Sequence, residues 1–402
     1  MKENAKSIKR KIPFDAKSFF NIKAKGDLVI LICVLLLVIG GYIMVASAHT
    51  NVFVTYGAGV FIKEMAKITV FIIVGFFIMQ KLNQKFDIEI FKKYRKVFLM
   101  GISALMIMTL FFPSVNGSKS WINLGFMTIQ PTEFLKMFVI LDNAVYFSSK
   151  KYQSETVFNA YKEPLLKLLI SVLFIFILQN DLGNALIIIM IYLVMFYAIP
   201  DPRIKKFKKT FAIAMAIFII LFYIFGKQLS DLIYSLPDDF FKKAQLTRIA
   251  VLFNPLKDVY ISGFQVTNAL VALASGGLFG MGLNNSTTKF LLPEAYNDAI
   301  IAVIAEELGL VGVLVLFILY IGIIVKLLSY AEKPKISTDS RLLLVGVAAF
   351  FMAQFFVNIG GMVGLIPMTG VTLLFVSSGG SSILMAFISI GIAQATIKRY
   401  LK

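Results

Sequence analysis

Long apolar stretches recur along the whole of this 402-residue chain, and they restrict its fold more than any other feature. A helix needs about 20 mostly apolar residues to cross the ~30 Å hydrocarbon core of a bilayer. Ten stretches approach that length, at 28–48, 62–82, 97–114, 131–148, 164–180, 182–199, 210–229, 298–326, 342–364 and 380–397. Charged types make up only 15% of the residues, whereas soluble domains have about one-quarter. The pattern predicts an all-α polytopic membrane protein with ten transmembrane helices.

Cysteine and histidine are too scarce for two common kinds of site. The chain has one cysteine, Cys33, and one histidine, His49, which excludes an intrachain disulfide and a Cys/His metal site. A metal held by oxygen ligands stays open. The net charge of +18 would suggest a nucleic-acid partner in a soluble protein. Here the basic residues lie between apolar stretches, so we predict contact with anionic lipid headgroups and no nucleic acid.

The distribution of lysine and arginine predicts the orientation in the membrane. If the N-terminus is cytoplasmic, 30 of the 40 basic residues fall on that side, as the positive-inside rule requires. We therefore expect a basic cytoplasmic N-terminal segment (1–26), a membrane domain (27–397) and a cytoplasmic C-terminal end (398–402). The sequence Ala-Ser-Ala at 46–48 resembles a signal-peptidase site. The preceding apolar stretch is longer than a signal peptide's, however, so we interpret it as an uncleaved first span.

Two predicted outer loops are longer than the other connections. One covers 115–130, and the other covers about 230–297, between spans 7 and 8. Loops of this length are usually functional or disordered. The second loop is rich in aromatic and aliphatic residues, so we expect it to be ordered and partly embedded, with a helix at 265–274 lying along the outer interface.

Charged residues at membrane depth are the strongest functional signal, because each is costly there unless it is paired or faces water. Glu133 and Lys136 are three residues apart and can pair with each other, or they can face a substrate. Asp181 stands where a carboxylate would cap the sixth span, although a place in a site stays open. Glu306 and Glu307 diverge by ~100° around their helix, so they cannot share one partner and at least one is structural.

Asp298 occupies a different position, at the predicted outer mouth of the eighth span. It follows a loop that carries Arg248, Lys289 and Glu294. A carboxylate at the boundary between water and membrane, near cations, can ionise, meet a polar headgroup and act as a base. The alternative is that Asp298 only caps the eighth helix.

Motifs along most of the chain resemble one known family. They are WINLG at 121–125, IQPTE at 129–133 with Lys136, QNDLG at 179–183, Arg248 with FNP at 253–255, GFQ at 263–265, SGGLFG at 275–280, KFLLPE at 289–294, ND at 297–298, AEELG at 305–309, IPMTG at 366–370 and SSGGSS at 377–382. Their order and spacing resemble the SEDS family of bacterial shape, elongation, division and sporulation proteins, which includes FtsW, RodA and SpoVE. The run from 289 to 294 and the sequence Gly-Met-Gly at 280–282 are more similar to FtsW than to RodA.

The resemblance implies a fold, an activity and partners. It implies ten spans with cytoplasmic termini in the bacterial cytoplasmic (inner) membrane. It also implies polymerisation of lipid II, the lipid-linked disaccharide-peptide, into peptidoglycan glycan strands at the outer face. The implied partners are a class B penicillin-binding protein and other membrane proteins of the division or elongation machinery. The essential aspartate of the family corresponds to Asp298, which the resemblance therefore identifies as the catalytic residue.

The chain departs from the family pattern at a few positions. Ser120 replaces a common arginine, with Lys119 beside it as a candidate substitute, and Asn180 replaces a common proline. Ala299 replaces an aromatic residue, and Leu374 and Ser378 replace proline and tyrosine. These differences concern substrate contacts rather than the fold.

The chemistry of strand extension assigns roles to the remaining residues. A base must accept the proton of the attacking sugar hydroxyl, and cations must offset the charge of the departing diphosphate. The residues expected to contact substrate are Lys119, Glu133, Lys136, Arg248, Lys289 and Glu294. Those expected to support the site are Trp121, Gln130, Asp181, Gln265, Glu306 and Glu307. A divalent cation such as Mg²⁺ or Mn²⁺ would also neutralise the diphosphate, although the sequence shows no ion site.

Two other functions stay open from the sequence. A lipid II flippase would use Glu133, Lys136 and Asp181 along a path through the membrane, since intramembrane charges near interrupted spans suit a carrier. A non-enzymatic scaffold of the division machinery is the other alternative. The charges cluster towards the outer face, which favours catalysis there, and two lipid-tailed substrates would require a groove open to the membrane.

Overall fold

The computed structural model of the chain describes residues 26–115, 117–125, 127–237, 240, 242–258 and 263–401. The predicted N-terminal segment, apart from residue 26, therefore lies outside the described residues. The helices are α1 (Leu28–Ala48), α2 (Thr50–Tyr56), α3 (Ala58–Lys85), α4 (Ile88–Thr109), α5 (Pro131–Phe147), α6 (Lys150–Ser154), α7 (Val157–Leu173, continued by a π-helical turn Phe174–Leu178), α8 (Leu182–Ala198), α9 (Lys205–Ile224), α10 (Gly226–Ser235), α11 (Lys243–Phe253), α12 (Phe264–Gly276), α13 (Ile300–Ala331), α14 (Thr338–Met362) and α15 (Gly380–Tyr400).

The remaining regular structure is small. Strands β1 (Ile122–Asn123) and β2 (Thr128–Ile129) form an antiparallel hairpin within the first predicted outer loop. Short 3₁₀ turns occur at Pro202–Ile204, Pro255–Asp258 and Thr288–Phe290. The described chain is thus almost entirely helical, as the apolar stretches predict.

Each of the ten apolar stretches contains a helix. Among the described residues, five helical segments are both long and apolar enough to cross a membrane: Leu28–Tyr56, Pro202–Ile224, Ile300–Ala331, Thr338–Met362 and Gly380–Tyr400. The protein is a multi-pass membrane protein. The second predicted outer loop is ordered, because α10, α11 and α12 lie within it, and α12 includes the helix predicted at 265–274.

The centre of the bundle is formed by α14 and α15. Helix α15 packs along α3, while α14 packs against α13, α8 and α5. Glycines permit these close approaches, as is common where helices associate in membranes. A Cβ atom on Gly75 of α3 would lie 2.4 Å from the ring of Phe387, and one on Gly346 of α14 would lie 2.5 Å from Ile140. Helix α9, by contrast, has no buried residue in the described structure.

The eighth predicted span is not one continuous helix. At Gly309 the backbone takes φ +67° and ψ −166°, which interrupts α13. The segment 277–282 fills the break: Met281 and Gly282 donate backbone hydrogen bonds to the carbonyls of Glu306 and Glu307, while the amides at 310 and 311 donate to the carbonyls at 277 and 278. A Cβ atom on Gly309 would lie 2.4 Å from the nitrogen of Gly280. The break is therefore satisfied internally, as a membrane interior requires.

Candidate functional site

A polar cavity of about 590 Å³ lies where the hairpin, the start of α8, helices α11 and α12, and the segments before α13 and after α14 meet. We call it the polar cavity below. Seven residues predicted from the sequence line it: Trp121, Gln130, Asp181, Arg248, Gln265, Glu294 and Asp298. Residues of the segment 364–370, which contains the IPMTG motif, form another part of the cavity wall. Motifs up to 250 residues apart in sequence thus meet at one cavity.

Asp298 lies on the cavity wall, two residues before α13 begins. It is therefore outside the apolar segment Ile300–Ala331, which is long enough to cross the membrane. No side chain caps α13, whose N-cap residue is Ala299, so the structure does not support capping as the role of Asp298. Its Oδ1 atom is enclosed and has no hydrogen-bond partner among the described residues. Burial, together with the nearby Glu294 carboxylate, raises the pKa of Asp298 to about 7, against the opposing effects of its own backbone amide, the Arg248 guanidinium and the amide of Ala299. A carboxyl group with such a pKa can exchange protons near neutral pH.

Gly370 leaves space for this carboxylate. It adopts φ +68°, and a Cβ atom there would lie 3.3 Å from Oδ2 of Asp298. Any other residue would be strained by this backbone conformation and would crowd the carboxylate. The glycine of the IPMTG motif therefore forms the opposite side of the Asp298 pocket.

Arg248 supplies positive charge to the cavity from α11. Its side chain is exposed to the cavity and has no ion-pair partner among the residues that the structure describes. Glu294 lies beside Asp298, with its Oε2 atom accepting a hydrogen bond of 2.7 Å from Nδ2 of Asn297. An unpaired guanidinium facing a cavity suits an anionic ligand, because arginine binds phosphate oxygens through several donors at once.

Asp181 both caps α8 and reaches the cavity. Its carboxylate accepts hydrogen bonds from the backbone and side-chain nitrogens of Asn184, at 3.0 and 2.7 Å. It also accepts bonds from Ser120 Oγ at 2.9 Å and Gln130 Nε2 at 3.4 Å. The predicted cap is confirmed, and Ser120 has a defined partner where the family commonly has arginine. The turn before Asp181 places Asn180 at φ +63°, a conformation that asparagine tolerates and proline cannot adopt.

Lys289, Glu306 and Glu307 lie away from the cavity wall. Lys289 is buried and donates to Glu307 at 3.2 Å and to the side chain of Asn284 at 2.6 Å. Glu306 instead accepts hydrogen bonds from the residues at 286–288. Ser286 contacts both glutamates, because its hydroxyl donates to Glu306 and its backbone amide donates to Glu307 at 3.4 Å. The prediction that they cannot share a partner is therefore wrong at Ser286, and both carboxylates have a structural role in holding the loop at 284–288. The structure therefore does not bring Lys289 to the site, where the sequence placed it.

Glu133 and Lys136 also lie away from the cavity wall. They form an ion pair of 2.7 Å within α5, with 3% and 0% of their side-chain surfaces exposed. The ammonium also lies 5.8 Å from the centre of the Phe350 ring. Of the two alternatives left open by the sequence, the geometry is that of a buried structural pair. Lys119, in contrast, is exposed on the loop after α4 and does not line the cavity.

Sequence reasoning missed one residue beside Asp298. Asn358 of α14 is buried and donates a hydrogen bond of 2.8 Å to the backbone carbonyl of Asp298. A signal was available, because an amide in the middle of an apolar span needs a buried partner. No group of three or more potential metal ligands of the His, Cys, Asp and Glu types occurs in the described part of the chain.

Comparison with known proteins places the whole described chain in one family. The family model described as "Cell cycle protein", which covers FtsW, RodA and SpoVE, matches residues 27–402. The probable peptidoglycan glycosyltransferase FtsW of Bacillus subtilis (strain 168) is 35% identical over 313 residues, 77% of this chain and 75% of that protein. The stage V sporulation protein E of the same organism is 33% identical over 392 residues, 94% of this chain and 98% of that protein.

Solved structures show the same fold. A chain of a peptidoglycan synthase complex that coordinates polymerization and crosslinking matches with a TM-score of 0.69 and 23% identity, over 94% of this chain and 98% of that chain. The rod shape determining protein RodA of Thermus thermophilus matches with a TM-score of 0.61 and 23% identity, over 93% of this chain and 97% of that chain.

Proposed function

Because this chain belongs to the Cell cycle protein family of FtsW, RodA and SpoVE, we propose that its polar cavity is the active site of a peptidoglycan glycosyltransferase. The substrate is lipid II, and the product is a glycan strand. The observation that carries the proposal is that Asp298, with its raised pKa, and Arg248, which has no ion-pair partner among the described residues, line the same cavity.

The reaction needs a base and a counter-charge, and these two residues supply them. The hydroxyl of one sugar attacks the anomeric carbon of another. A new C–O bond forms while the bond to the lipid-linked diphosphate breaks. Asp298 accepts the hydroxyl proton, and Arg248 neutralises the negative charge that develops on the departing diphosphate. If a divalent cation also binds, Glu294 and Asp298 would hold it, and the substrate would supply the remaining oxygen ligands. The cation would neutralise negative charge on the diphosphate.

The proposal includes an orientation and a location. We propose that the chain crosses the bacterial cytoplasmic membrane ten times, with both termini in the cytoplasm. In this orientation the polar cavity lies at the outer face, where lipid II is polymerised. The excess of lysine and arginine in the predicted cytoplasmic loops supports this orientation. The partner is a class B penicillin-binding protein that crosslinks the strands, which is supported by the likeness to a chain of a peptidoglycan synthase complex.

A flippase is supported less well by the geometry. The flippase hypothesis assigned Glu133, Lys136 and Asp181 to a substrate path. The first two are paired with each other and enclosed, and Asp181, although it reaches the cavity, caps α8. We therefore propose catalysis rather than transport.

The test is polymerisation of labelled lipid II by the purified protein with its penicillin-binding partner. Asp298→Asn keeps the size of the side chain and should lower the rate by about 100- to 10,000-fold, the effect of losing a general base. The matched control is Asp231→Asn on α10, which removes an exposed carboxylate whose ion-pair partner among the described residues is Lys257, and it should leave the rate unchanged. Normal strand synthesis by folded Asp298→Asn protein would refute the assignment, and a wild-type protein without polymerase activity would favour the scaffold.

A further inference from the structure

Three successive backbone carbonyls immediately before α13 are held by hydrogen bonds from elsewhere in the chain. The carbonyl of Tyr296 accepts from the backbone amide of Ser378 at 3.0 Å. That of Asn297 accepts from Ser377 Oγ at 2.5 Å, and that of Asp298 accepts from Asn358 Nδ2 at 2.8 Å. The backbone that carries the Asp298 carboxylate is therefore fixed at every residue from 296 to 298.

Asn358 joins the two segments that enclose the carboxylate. Its amide nitrogen also donates to the carbonyl of Val371 at 2.6 Å, so its two hydrogens bridge Asp298 and Val371. Val371 follows Gly370, the glycine whose missing Cβ leaves space for Oδ2 of Asp298. One side chain thus sets the distance between the carboxylate and the wall opposite it.

Ser377 adds a second link of the same kind. Its hydroxyl donates to the carbonyl of Asn297 and accepts a hydrogen bond of 2.8 Å from the backbone amide of Leu373. Ser378 donates from its hydroxyl to the side-chain oxygen of Asn297 at 2.6 Å. The segment 371–378 is therefore tied to 296–298 through polar contacts that are independent of apolar packing.

We propose that Asn358 and Ser377 are positioning residues for the reaction, which hold the Asp298 carboxylate at the distance and angle that proton transfer requires. The proposal rests on the function proposed above. Neither residue lines the polar cavity, so neither contacts substrate directly. Because proton transfer depends steeply on geometry, a displacement of about 1 Å can lower a rate by about 100-fold.

The turnover number and the Michaelis constant should therefore respond differently. Asn358→Leu keeps the approximate size but removes both donors, and we expect kcat for lipid II polymerisation to fall by about 10- to 100-fold. KM should change little, because the residues that line the cavity are unaltered. A role in folding alone would instead lower the amount of folded protein while leaving kcat per folded molecule unchanged.

The chain offers a matched control one turn away on the same helix. Gln354 is also an amide and is fully buried, but it has no hydrogen-bond partner among the described residues. Gln354→Leu should therefore leave kcat near the wild-type value. If both leucine variants lose kcat equally, or if folded Asn358→Leu protein keeps the wild-type kcat, the positioning role is refuted.

Ser377 provides a second test that needs only a small change. Ser377→Ala removes the hydroxyl and should lower kcat by about tenfold, while Ser377→Thr keeps a hydroxyl and should restore most of it. Equal rates for the alanine and threonine variants would contradict the proposal even if Asn358→Leu fails to fold. Asp298→Asn serves as the reference: if it is inactive while every Asn358 and Ser377 variant is normal, the positioning role fails and the proposed function stands.

Discussion

The buried pair of Glu133 and Lys136 allows a quantitative test of whether charges inside the bundle are structural or functional. Only Lys136 pairs with Glu133, at 2.7 Å, and the second carboxylate oxygen has no hydrogen-bond partner among the described residues. Lys136→Met would leave an unpaired carboxylate that water cannot reach. Breaking a buried pair in this way costs about 3–5 kcal/mol, whereas replacing both partners by apolar residues is often neutral or stabilising by about 1–4 kcal/mol.

The expected pattern is therefore non-additive. Lys136→Met should destabilise the protein by about 3–5 kcal/mol, and the double variant Glu133→Met with Lys136→Met should regain most of that loss. With an unfolding entropy of about 2.1 cal/mol/K per residue, a loss of 3 kcal/mol over 402 residues lowers the unfolding midpoint by about 4 °C. The midpoint can be measured by thermal unfolding in detergent, alongside polymerisation per folded molecule.

A second ion pair with the same spacing provides the control. Glu64 and Lys67 also lie three residues apart at 2.9 Å, but about one-third of each side chain is exposed. Lys67→Met should cost less than about 1 kcal/mol, because water solvates the remaining carboxylate. A Lys136→Met protein with the wild-type midpoint and no polymerase activity would refute the structural interpretation and return Lys136 to the substrate path. A stable but inactive double variant would do the same.

Two further predictions concern Asp298 and the orientation of the chain. The pKa of Asp298 is raised to about 7, so its protonated form predominates at lower pH. We therefore expect kcat/KM to fall about tenfold for each pH unit below about pH 7. An unchanged kcat/KM down to about pH 5 would exclude Asp298 as the base. A cysteine introduced at the exposed Asn285 should react with an impermeant maleimide from outside intact cells, and one at Gln84 or Lys206 only after permeabilisation, against a low background from the buried Cys33. The reverse labelling pattern would overturn the orientation and the outer position of the polar cavity.

Much of the fold could be predicted because its causes are local. Apolar stretches of about 20 residues specify helices, and each such stretch contains one. The cap at Asp181 was predictable from a carboxylate directly before an apolar run. The divergence of Glu306 and Glu307 follows from helical periodicity alone. Seven of the residues that line the polar cavity were identified from motifs, yet nothing local specified that they would meet.

Tertiary structure alone decided which charged residues face the cavity. Lys289 and Arg248 are similar in sequence context, since both are cations in the loop before α13. Lys289 is buried against Glu307, which in turn accepts a hydrogen bond from Ser47, 260 residues away in sequence. Arg248 has no such partner in the part of the chain that the structure describes, and it faces the cavity. The choice between the two depends on contacts between distant segments.

The break in α13 and the bridge formed by Asn358 have the same origin. The apolar run at 298–326 predicts a continuous helix despite its three glycines, and the interruption at Gly309 exists because the segment 277–282 supplies replacement hydrogen bonds. From the sequence, Asn358 is only an amide side chain within a membrane span, where an unpartnered polar group costs free energy. Its role depends on the carbonyls of Asp298 and Val371. Periodicity and apolar length act over a few helical turns, so they specify where helices form and which residue types are available for the chemistry. The packed structure determines which polar groups satisfy one another, and it leaves Oδ1 of Asp298 at the wall of the polar cavity without a hydrogen-bond partner among the described residues.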